Sequence, residues 1–358
     1  MTVELGTDAG AGTPTPVVEE PRSASVESIS AELRAFTSRG DWLAARRHLI
    51  GGSDVAKIVG IAPETWGSPL SVWMTKTGVV PIVDDPTPWQ EWGHRHEPAI
   101  AQAWAEENLG PDDAILNPAG VDAEAMFVRD GWKAATPDRF AVVDGELVCV
   151  ELKTVTEWLS SDWDDGPPDY YRAQCLWYAH VLGVARVDIA VLVGLSDFRV
   201  HTIDATDPTN QELTEWLVDA VSTWRQTHLV EGAEPQPTMS SDKDLVARRY
   251  PTSTTATVDL SEEALKDLRT VISLNKRIKE LATSLDVVKA RVQSALGDAE
   301  EGRFGGATVV TWKSASPTDP LKRRAILQAE IDQIDAGEWV AKSSRRFLPK
   351  AGKVEEVA

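Results

Sequence analysis

Residues 135–153 read ATPDRFAVVDGELVCVELK, and this stretch decides the fold. Residues 139–143 alternate in character and lead into Asp144-Gly145, a pair that favours a two-residue turn between antiparallel strands. Residues 146–153 then continue as a mostly apolar partner strand. The stretch therefore predicts a β-hairpin whose second strand lies in the centre of a sheet, where a carboxylate is costly unless it is paired or binds a metal.

Two acids and a lysine converge on this hairpin. The turn sets Asp138 beside Glu151, and side chains two apart on a strand share a face, so Glu151 and Lys153 project together. Carboxylate oxygens suit Mg²⁺ or Mn²⁺, which can activate water, while an ammonium group neutralises charge developing on a phosphate. These residues predict phosphodiester hydrolysis. An exposed hairpin with ordinary surface charges is the alternative.

Two further residues are candidates for the same site. Glu97 is predicted at the start of an amphipathic helix that presents Ile100, Ala101 and Trp104 on one stripe, and its carboxylate could complete a metal site. Gln174 lies in a helix predicted to open at Pro167-Pro168 and to end at Gly183. An amide on the side of this helix that faces the hairpin could orient water or a phosphate.

A possible anion site precedes both. Gly51-Gly52-Ser53-Asp54 leads into an apolar-periodic run, which predicts Ser53 as the N-cap of a helix. The free N–H groups of such a helix start could bind a phosphate. Asp54 argues against this because it adds negative charge to the same turn. A plain capped helix is the alternative.

Five motifs occur in order between residues 41 and 203: RRHLIGGSD at 46–54, Glu97, TPD at 136–138, ELK at 151–153 and YRAQ at 171–174. Together they resemble the YqaJ-type viral recombinases, relatives of the phage lambda exonuclease within the restriction-endonuclease-like fold. The resemblance implies an α/β fold with a mixed central sheet flanked by helices. It also implies a Mg²⁺-dependent exonuclease that degrades the 5′-ended strand of duplex DNA and leaves a 3′ overhang.

The resemblance also implies roles for individual residues. Glu97, Asp138 and Glu151 would hold the metal, Lys153 would be the catalytic lysine, and Gln174 would line the site. Arg46 and Ser53 match the positions expected to hold the DNA end. The implied partners are double-stranded DNA ends, a single-strand annealing protein and other copies of the chain in a ring.

Composition limits these expectations. The two cysteines cannot supply the four ligands of the iron–sulfur cluster found in some relatives of this fold. The net charge of −20 opposes DNA binding, which is driven by Lys and Arg. The acidity is uneven: residues 241–358 hold 20 Lys+Arg and 18 Asp+Glu, whereas residues 1–240 hold 16 and 38. A locally basic DNA channel is therefore still compatible with the sequence.

We predict four parts in the chain: a disordered leader with a lead-in helix (1–40), an exonuclease domain (41–230), a linker (231–258) and a helical C-terminal extension (259–358). The extension carries a coiled-coil-like seam of apolar residues at steps of three and four, from Val271 to Ala295. With no signal peptide and no long apolar run, we expect a cytoplasmic protein without membrane contact, in the host cytoplasm if phage-encoded. A non-catalytic binding module and a sequence-specific endonuclease are the alternative functions.

Overall fold

The computed structural model describes residues 29–80, 87–111, 113–116, 124–314 and 320–336. The chain forms two compact units, Met1–Val246 and Ala247–Ala358. Among the described residues no helix is both long enough and apolar enough to cross a membrane. The predicted leader, up to residue 28, lies outside the described residues.

A five-stranded mixed sheet forms the centre of the first unit. Its strands are β3 (Ala114–Leu116), β6 (Arg139–Val143), β7 (Glu146–Val155), β8 (Arg186–Val193) and β9 (Asp197–Asp204), and they lie in the order β3-β6-β7-β8-β9. Strands β7 and β8 are parallel, whereas the other neighbouring pairs are antiparallel. The predicted strands over residues 186–193 and 198–203 are confirmed.

The predicted hairpin joins β6 to β7. Asp144 and Gly145 both have positive φ, 50° and 80°, as a two-residue hairpin turn of this type requires. The register pairs Arg139 with Val150. Asp138, which immediately precedes β6, is thereby brought to the level of Glu151, as the sequence predicted.

Helices cover both faces of this sheet, so the predicted mixed sheet flanked by helices is confirmed. On one face, α4 (Pro88–Asn108) packs Ile100 and Trp104 against Val148, Val150 and Leu152 of β7. The opposite face is covered by α5 (Asp169–Leu182) and α6 (Pro208–Arg225). Because both faces are buried, Glu151 points into a helix-covered layer, not into solvent.

A buried hydrogen bond anchors α4 to the sheet. The indole Nε1 of Trp104 donates to Oδ2 of Asp188 in β8 at 3.1 Å, and Arg186 forms a bidentate pair with the same carboxylate. Helix α4 starts at Pro88 with Thr87 as its N-cap, so Glu97 lies in the middle of the helix. The prediction that Glu97 starts a helix was wrong because the capping Thr87 and the following Pro88 begin it two turns earlier.

A second, four-stranded sheet has the order β1-β4-β5-β2. Its strands are β1 (Glu32–Phe36), β2 (Ile50–Gly51), β4 (Glu124–Arg129) and β5 (Lys133–Ala135), and the connected helices are α1 (Arg39–Arg46), α2 (Gly52–Ile58) and α3 (Pro69–Thr77). The predicted lead-in helix is only partly correct. Residues 32–36 form a strand paired with β4, and the helix begins at Arg39.

Helices α5 and α6, which cover the face of the central sheet opposite α4, have the limits that their sequences indicate. Helix α5 follows Pro168 and ends at Gly183, whose φ of 77° is left-handed, so both predicted limits are confirmed. Helix α6 is capped by Asp207 and continues through one π-helical turn, Gln226–Val230.

The segment predicted as a linker, residues 231–258, contains helix α7 (Asp242–Arg249). Asp242 is fully buried, and its carboxylate accepts hydrogen bonds from Ser68 Oγ at 2.5 Å and from the backbone N–H groups of Thr238 and Met239. Glu64 accepts from Ser240 and from the N–H of Ser241. This part of the segment is therefore fixed to the first unit, because its polar groups pair with the start of α3.

The second unit contains α8 (Glu262–Leu296), the hairpin of β10 (Glu301–Phe304) and β11 (Ala307–Thr311), and α9 (Pro320–Asp335). Ser261 caps α8 and Gly297 ends it, so the predicted long helix is confirmed. No residue of α8 is buried, and its seam is open along its length: Leu274, Ile278, Leu281, Leu285, Val288 and Val292 are all exposed. The basic tail at Lys342, Arg345, Arg346 and Lys350 lies outside the described residues.

The exposed seam makes a first prediction. Replacing both Ile278 and Leu285 with Asp should leave folding unchanged, because these side chains are 62% and 52% exposed. If the seam pairs with another surface, the two charges should abolish that pairing. Sedimentation velocity and thermal unfolding measure the two effects. Thr283→Asp is the control, since position 283 lies about 200° around the helix from Leu285. A variant that sediments like the wild type would show that the seam pairs with nothing in solution.

Candidate active site

The Glu151 carboxylate lies at the centre of the site. Glu151 is 3% exposed on β7, between two apolar neighbours. Its Oε1 accepts hydrogen bonds from the Lys153 ammonium group and, at 2.7 Å, from Gln174 Nε2 on α5. Its Oε2 is buried and has no hydrogen-bond partner among the described residues. A buried carboxylate oxygen without a partner is costly, and it is well suited to bind a cation.

Asp138 and Lys153 complete the predicted cluster. Asp138 Oδ2 accepts from the backbone N–H of Leu152 at 2.7 Å, so this carboxylate is tied to the strand that carries Glu151. Burial and the nearby charge of Glu151 raise the pKa of Asp138 well above its usual value. Burial alone would lower the pKa of Lys153, but Glu151 and Asp138 outweigh it and raise that pKa. Lys153 is therefore a fixed positive charge at neutral pH.

The pKa of Glu151 is also set by a balance between burial and neighbouring charges. Burial raises the pKa of Glu151, the charge and hydrogen bond of Lys153 oppose this rise, and the charge of Glu97 adds to it. The charge of Glu151 in turn raises the pKa of Asp138, so the two carboxylates lie within electrostatic range of each other. The sequence prediction that Asp138, Glu151 and Lys153 lie together agrees with this geometry.

Glu97 lies at the edge of the cluster. Its charge raises the pKa of both Asp138 and Glu151, so it lies within electrostatic range of both. Its own Oε1, however, pairs with His94 Nδ1 at 2.7 Å, one turn earlier on α4. Glu97 is close to the pair of acids but is held by a neighbour on its own helix.

The side chains of this cluster offer the kind of oxygen ligands that a hard divalent cation binds. Within the described ranges, no three His, Cys, Asp or Glu side chains are already arranged as a complete metal site. The unpaired Glu151 Oε2 and the adjacent Asp138 carboxylate are nevertheless the oxygen donors that Mg²⁺ and Mn²⁺ prefer. Glu97 would be a third donor if it released His94.

Tyr178 contributes to the site although sequence reasoning assigned the aromatic residues of α5 mainly to the core. Its hydroxyl accepts from Gln174 Nε2 at 3.2 Å and lies 3.3 Å from both the backbone oxygen and Oγ1 of Thr136. Tyr178 thus joins Gln174 to the loop that carries Asp138. The signal in the sequence was its spacing of four residues from Gln174, which places both on one helix face.

Arg46 and Ser53 are also brought together. Arg46 Nη2 donates to Ser53 Oγ at 2.7 Å, and the guanidinium group stacks over the Trp42 ring at 5.1 Å. The prediction that Ser53 is the N-cap was wrong. Gly51 is the N-cap of α2, and Asp54 reaches back to accept from the Gly51 N–H at 3.1 Å. Ser53 lies inside the first turn, where its hydroxyl is free to meet Arg46.

Asp54 does not place its charge in the predicted anion pocket. Its carboxylate is buried and pairs with Lys76 Nζ at 2.8 Å. Burial would raise the pKa of Asp54, but the charges of Lys76, Arg46 and Lys57 outweigh it and lower that pKa well below the usual value. Three cations thus surround one acid, and the region is locally basic within an acidic chain.

Lys76 is a residue that sequence reasoning missed. Besides Asp54, its ammonium group donates to the backbone oxygens of Arg46 at 3.0 Å and Leu49 at 2.5 Å. It therefore holds the end of α1, the following turn and the start of α2 in one arrangement. The signal in the sequence was a single charge in the otherwise uncharged helix PLSVWMTKT.

Gly52 allows the anion pocket to lie against the acidic cluster. A Cβ at this position would lie 2.6 Å from Tyr178 Cε1 and 2.9 Å from Gln174 Cγ, distances that real side chains do not adopt. Helix α2 therefore packs its backbone directly on the residues of α5 that contact Glu151. The pocket at Arg46 and Ser53 and the carboxylates share this one packing contact.

The site thus combines a buried acid, Glu151, a half-buried acid, Asp138, a lysine and a separate cationic pocket. Residues 41–185 match the model of the YqaJ-like viral recombinase domain. This match confirms the resemblance that the order of the five motifs indicated.

The chain is also similar to individual proteins. An uncharacterized protein, YqaJ of Bacillus subtilis strain 168, is 27% identical over 284 residues, which cover 77% of this chain and 83% of the relative. Among solved structures, an alkaline exonuclease from Laribacter hongkongensis has 14% identity and a TM-score of 0.40, covering 52% of this chain and 93% of its own. A phage-related exonuclease from Haemophilus somnus 129PT has 11% identity and a TM-score of 0.37, covering 52% and 96%.

The close contact at Gly52 makes a second prediction. Gly52→Ala should destabilise the protein by roughly 1–3 kcal/mol, because the added methyl group must push α2 away from Tyr178. Gly93→Ala is the matched control. Its Cβ would lie an ordinary 3.7 Å from Thr154 Oγ1, so helix propensity should make it neutral or stabilising by up to about 1 kcal/mol. Denaturant unfolding measures both variants, and equal effects would mean that α2 and α5 do not pack as closely as described.

Proposed function

We propose that this protein is a Mg²⁺-dependent exonuclease, able to use Mn²⁺, that degrades the 5′-ended strand of duplex DNA and leaves a 3′ overhang. The observation that carries the proposal is the buried Glu151, whose Oε2 has no partner among the described residues while Asp138 and Lys153 lie beside it. Membership of the matched segment in the viral recombinase family supports the same class of reaction.

Each residue of the cluster has a distinct role in this proposal. Glu151 and Asp138 would hold the cation, with Glu97 as the third ligand. A bound Mg²⁺ would supply a Lewis acid that lowers the pKa of a water molecule and neutralises the scissile phosphate. Lys153 adds a fixed positive charge where negative charge develops on the phosphate. Gln174 holds Glu151 in orientation through its 2.7 Å hydrogen bond.

The Arg46 and Ser53 pair is proposed to bind the 5′ end of the strand. A guanidinium group and a hydroxyl group offer hydrogen-bond donors to a terminal phosphate, and charge-assisted bonds of this kind are strong. The inward turn of Asp54 toward Lys76 supports the role, because it removes the negative charge that argued against it. Lys57 and Lys76 add to the positive potential around the pocket.

The proposed partners follow from the same role. A 3′ overhang needs a single-strand annealing protein to use it, and association of several copies in a ring would keep the enzyme on its DNA. The exposed seam of α8 is available for either contact. A non-catalytic module that binds DNA ends or proteins is favoured over the enzyme by one observation only, the net charge of −20.

A single assay separates these functions. Linear and closed circular duplexes are incubated with Mg²⁺, and intact DNA of each form is followed with time. The exonuclease consumes the linear duplex and spares the circle, a sequence-specific endonuclease cuts both, and a binding module leaves both intact. Persistence of the linear form with excess enzyme would refute the proposed activity.

The catalytic cluster makes a third prediction. Lys153→Ala and Glu151→Gln should each lower the rate of hydrolysis by roughly 10²-fold or more, because one removes a fixed charge and the other a metal ligand. Turnover of labelled linear duplex with Mg²⁺ is the measurement, and circular dichroism verifies the fold. Near wild-type turnover in either folded variant would place the active site elsewhere.

The anion pocket makes a fourth prediction. Duplex with a 5′-phosphate should be degraded faster than the same duplex with a 5′-hydroxyl, since the phosphate offers Arg46 a charged partner that the hydroxyl does not. Arg46→Ala should abolish this preference while the metal ligands remain.

Arg47→Ala is the control for this experiment. The Arg47 guanidinium group lies against Gly78, where an ideal Cβ would fall 1.4 Å from Nη2, whereas Arg46 contacts Ser53. Equal rates on the two duplexes in the wild type would argue against a phosphate pocket. A preference that survives in Arg46→Ala and vanishes in Arg47→Ala would assign the pocket to the other arginine.

A further inference from the structure

The first turns of α4 expose two tryptophans beside the candidate active site. Trp89 is 74% exposed and Trp92 is 58% exposed. A tryptophan is among the largest apolar side chains, and burying it normally contributes strongly to stability. Two on adjacent turns of one helix therefore form an apolar surface that the described parts of this chain leave open.

The surface around Trp92 combines a second ring with one cationic group. The His96 ring stacks on Trp92 with a centroid distance of 5.8 Å and an angle of 30° between the planes. The Arg95 guanidinium carbon lies 5.4 Å from the Trp92 ring centroid. At 100° per residue, Trp89, Trp92 and His96 lie within about 60° of one another around the helix axis. They form one aromatic stripe with a positive charge at its side.

This stripe lies next to the catalytic residues. Gly93, which directly follows Trp92, faces β7, since a Cβ there would lie 3.7 Å from Thr154 Oγ1, and Thr154 directly follows Lys153. Glu97, the proposed third metal ligand, follows His96 on the same helix. A strand held at the carboxylates would therefore pass close to the stripe.

We propose that Trp89 and Trp92, with Arg95 and His96 beside them, form a stacking platform for unpaired bases of single-stranded DNA next to the active site. The proposal rests on the proposed function, because it takes the substrate to be DNA. Bases stack on aromatic side chains without regard to sequence, and an arginine beside them contacts the backbone or the base face. The platform holds unpaired bases of the strand that reaches the carboxylates.

A third exposed tryptophan differs from the α4 stripe in the charge of the residues around it. Trp158 is 87% exposed, but it lies on a segment that carries Glu157, Asp162 and Asp165, besides Asp164, which pairs with Arg199 at 3.0 Å. A DNA strand would meet repulsion there, whereas the α4 stripe has Arg95 within contact of its ring. Trp158 is therefore exposed to a similar degree in an unsuitable setting, which makes it a matched control.

The test measures binding without metal, so that hydrolysis does not interfere. Two labelled duplexes carry overhangs of equal length, one of oligothymidine and one of abasic sugar-phosphate. Trp89→Ala and Trp92→Ala should each weaken binding of the thymidine overhang by about 5- to 100-fold, the range expected for loss of one stacked base. Binding of the abasic overhang should be unchanged in these variants, because its phosphates are retained.

Controls make the outcome decisive. Trp158→Ala should bind both duplexes like the wild type, and Trp92→Phe should retain much of the preference for bases even if Trp92→Ala folds poorly. Equal losses on the two overhangs, or none on either, would overturn the platform. If the wild type prefers the thymidine overhang through Trp92 but hydrolyses no DNA, the proposed nuclease function fails and the platform stands. Hydrolysis of DNA without any preference for the thymidine overhang would overturn the platform and support the nuclease function.

Discussion

The arrangement of the first unit depends on one constraint, the burial of the Glu151 carboxylate in an apolar central strand. Burial raises its pKa, and the hydrogen bonds from Lys153 and Gln174 offset part of that cost. The neighbouring elements are placed by this requirement. Strand β6 brings Asp138, helix α5 brings the amide of Gln174, and the apolar residues that alternate with Glu151 secure β7 to α4. Burying a carboxylate costs stability, so a role in the chemistry of the site explains its position better than a role in stabilising the fold.

A second buried charge organises the opposite side of the site. Asp54 and Lys76 pair below the surface, and Lys76 also fixes the backbone oxygens of Arg46 and Leu49. The pair therefore takes the only acid of this turn out of the pocket while holding the residue that carries the arginine. An acidic protein can in this way keep a small basic region, since the sign of the local charge depends on which side chains face outward and not on the sum over the chain.

Local patterns predicted the parts of the fold that local physics determines. The hairpin at Asp144-Gly145, the helix ending at Gly183 and the long helix after Ser261 each follow from turn, cap or periodicity signals within a few residues. The predictions were less accurate where distant residues decide the structure. The prediction of a linker over residues 231–258 did not anticipate the buried Asp242, whose partner Ser68 is 174 positions away. Lys76 was overlooked for the same reason. The predicted N-cap at Ser53 lies two residues after the actual N-cap, Gly51, whose N–H donates to Asp54.

The direct contact of Gly52 with Tyr178 and Gln174 has a consequence for what the enzyme would release. Helix α2, which carries Ser53, packs at Gly52 directly on Gln174, which donates to Glu151, so the two proposed sites are joined by a direct contact between helices. In the proposed function, a chain end anchored at Arg46 and cut at Glu151 would be divided at a constant interval. The fragments would then be of uniform length whatever their base composition. The close packing at a single glycine would in this way determine the size of the product.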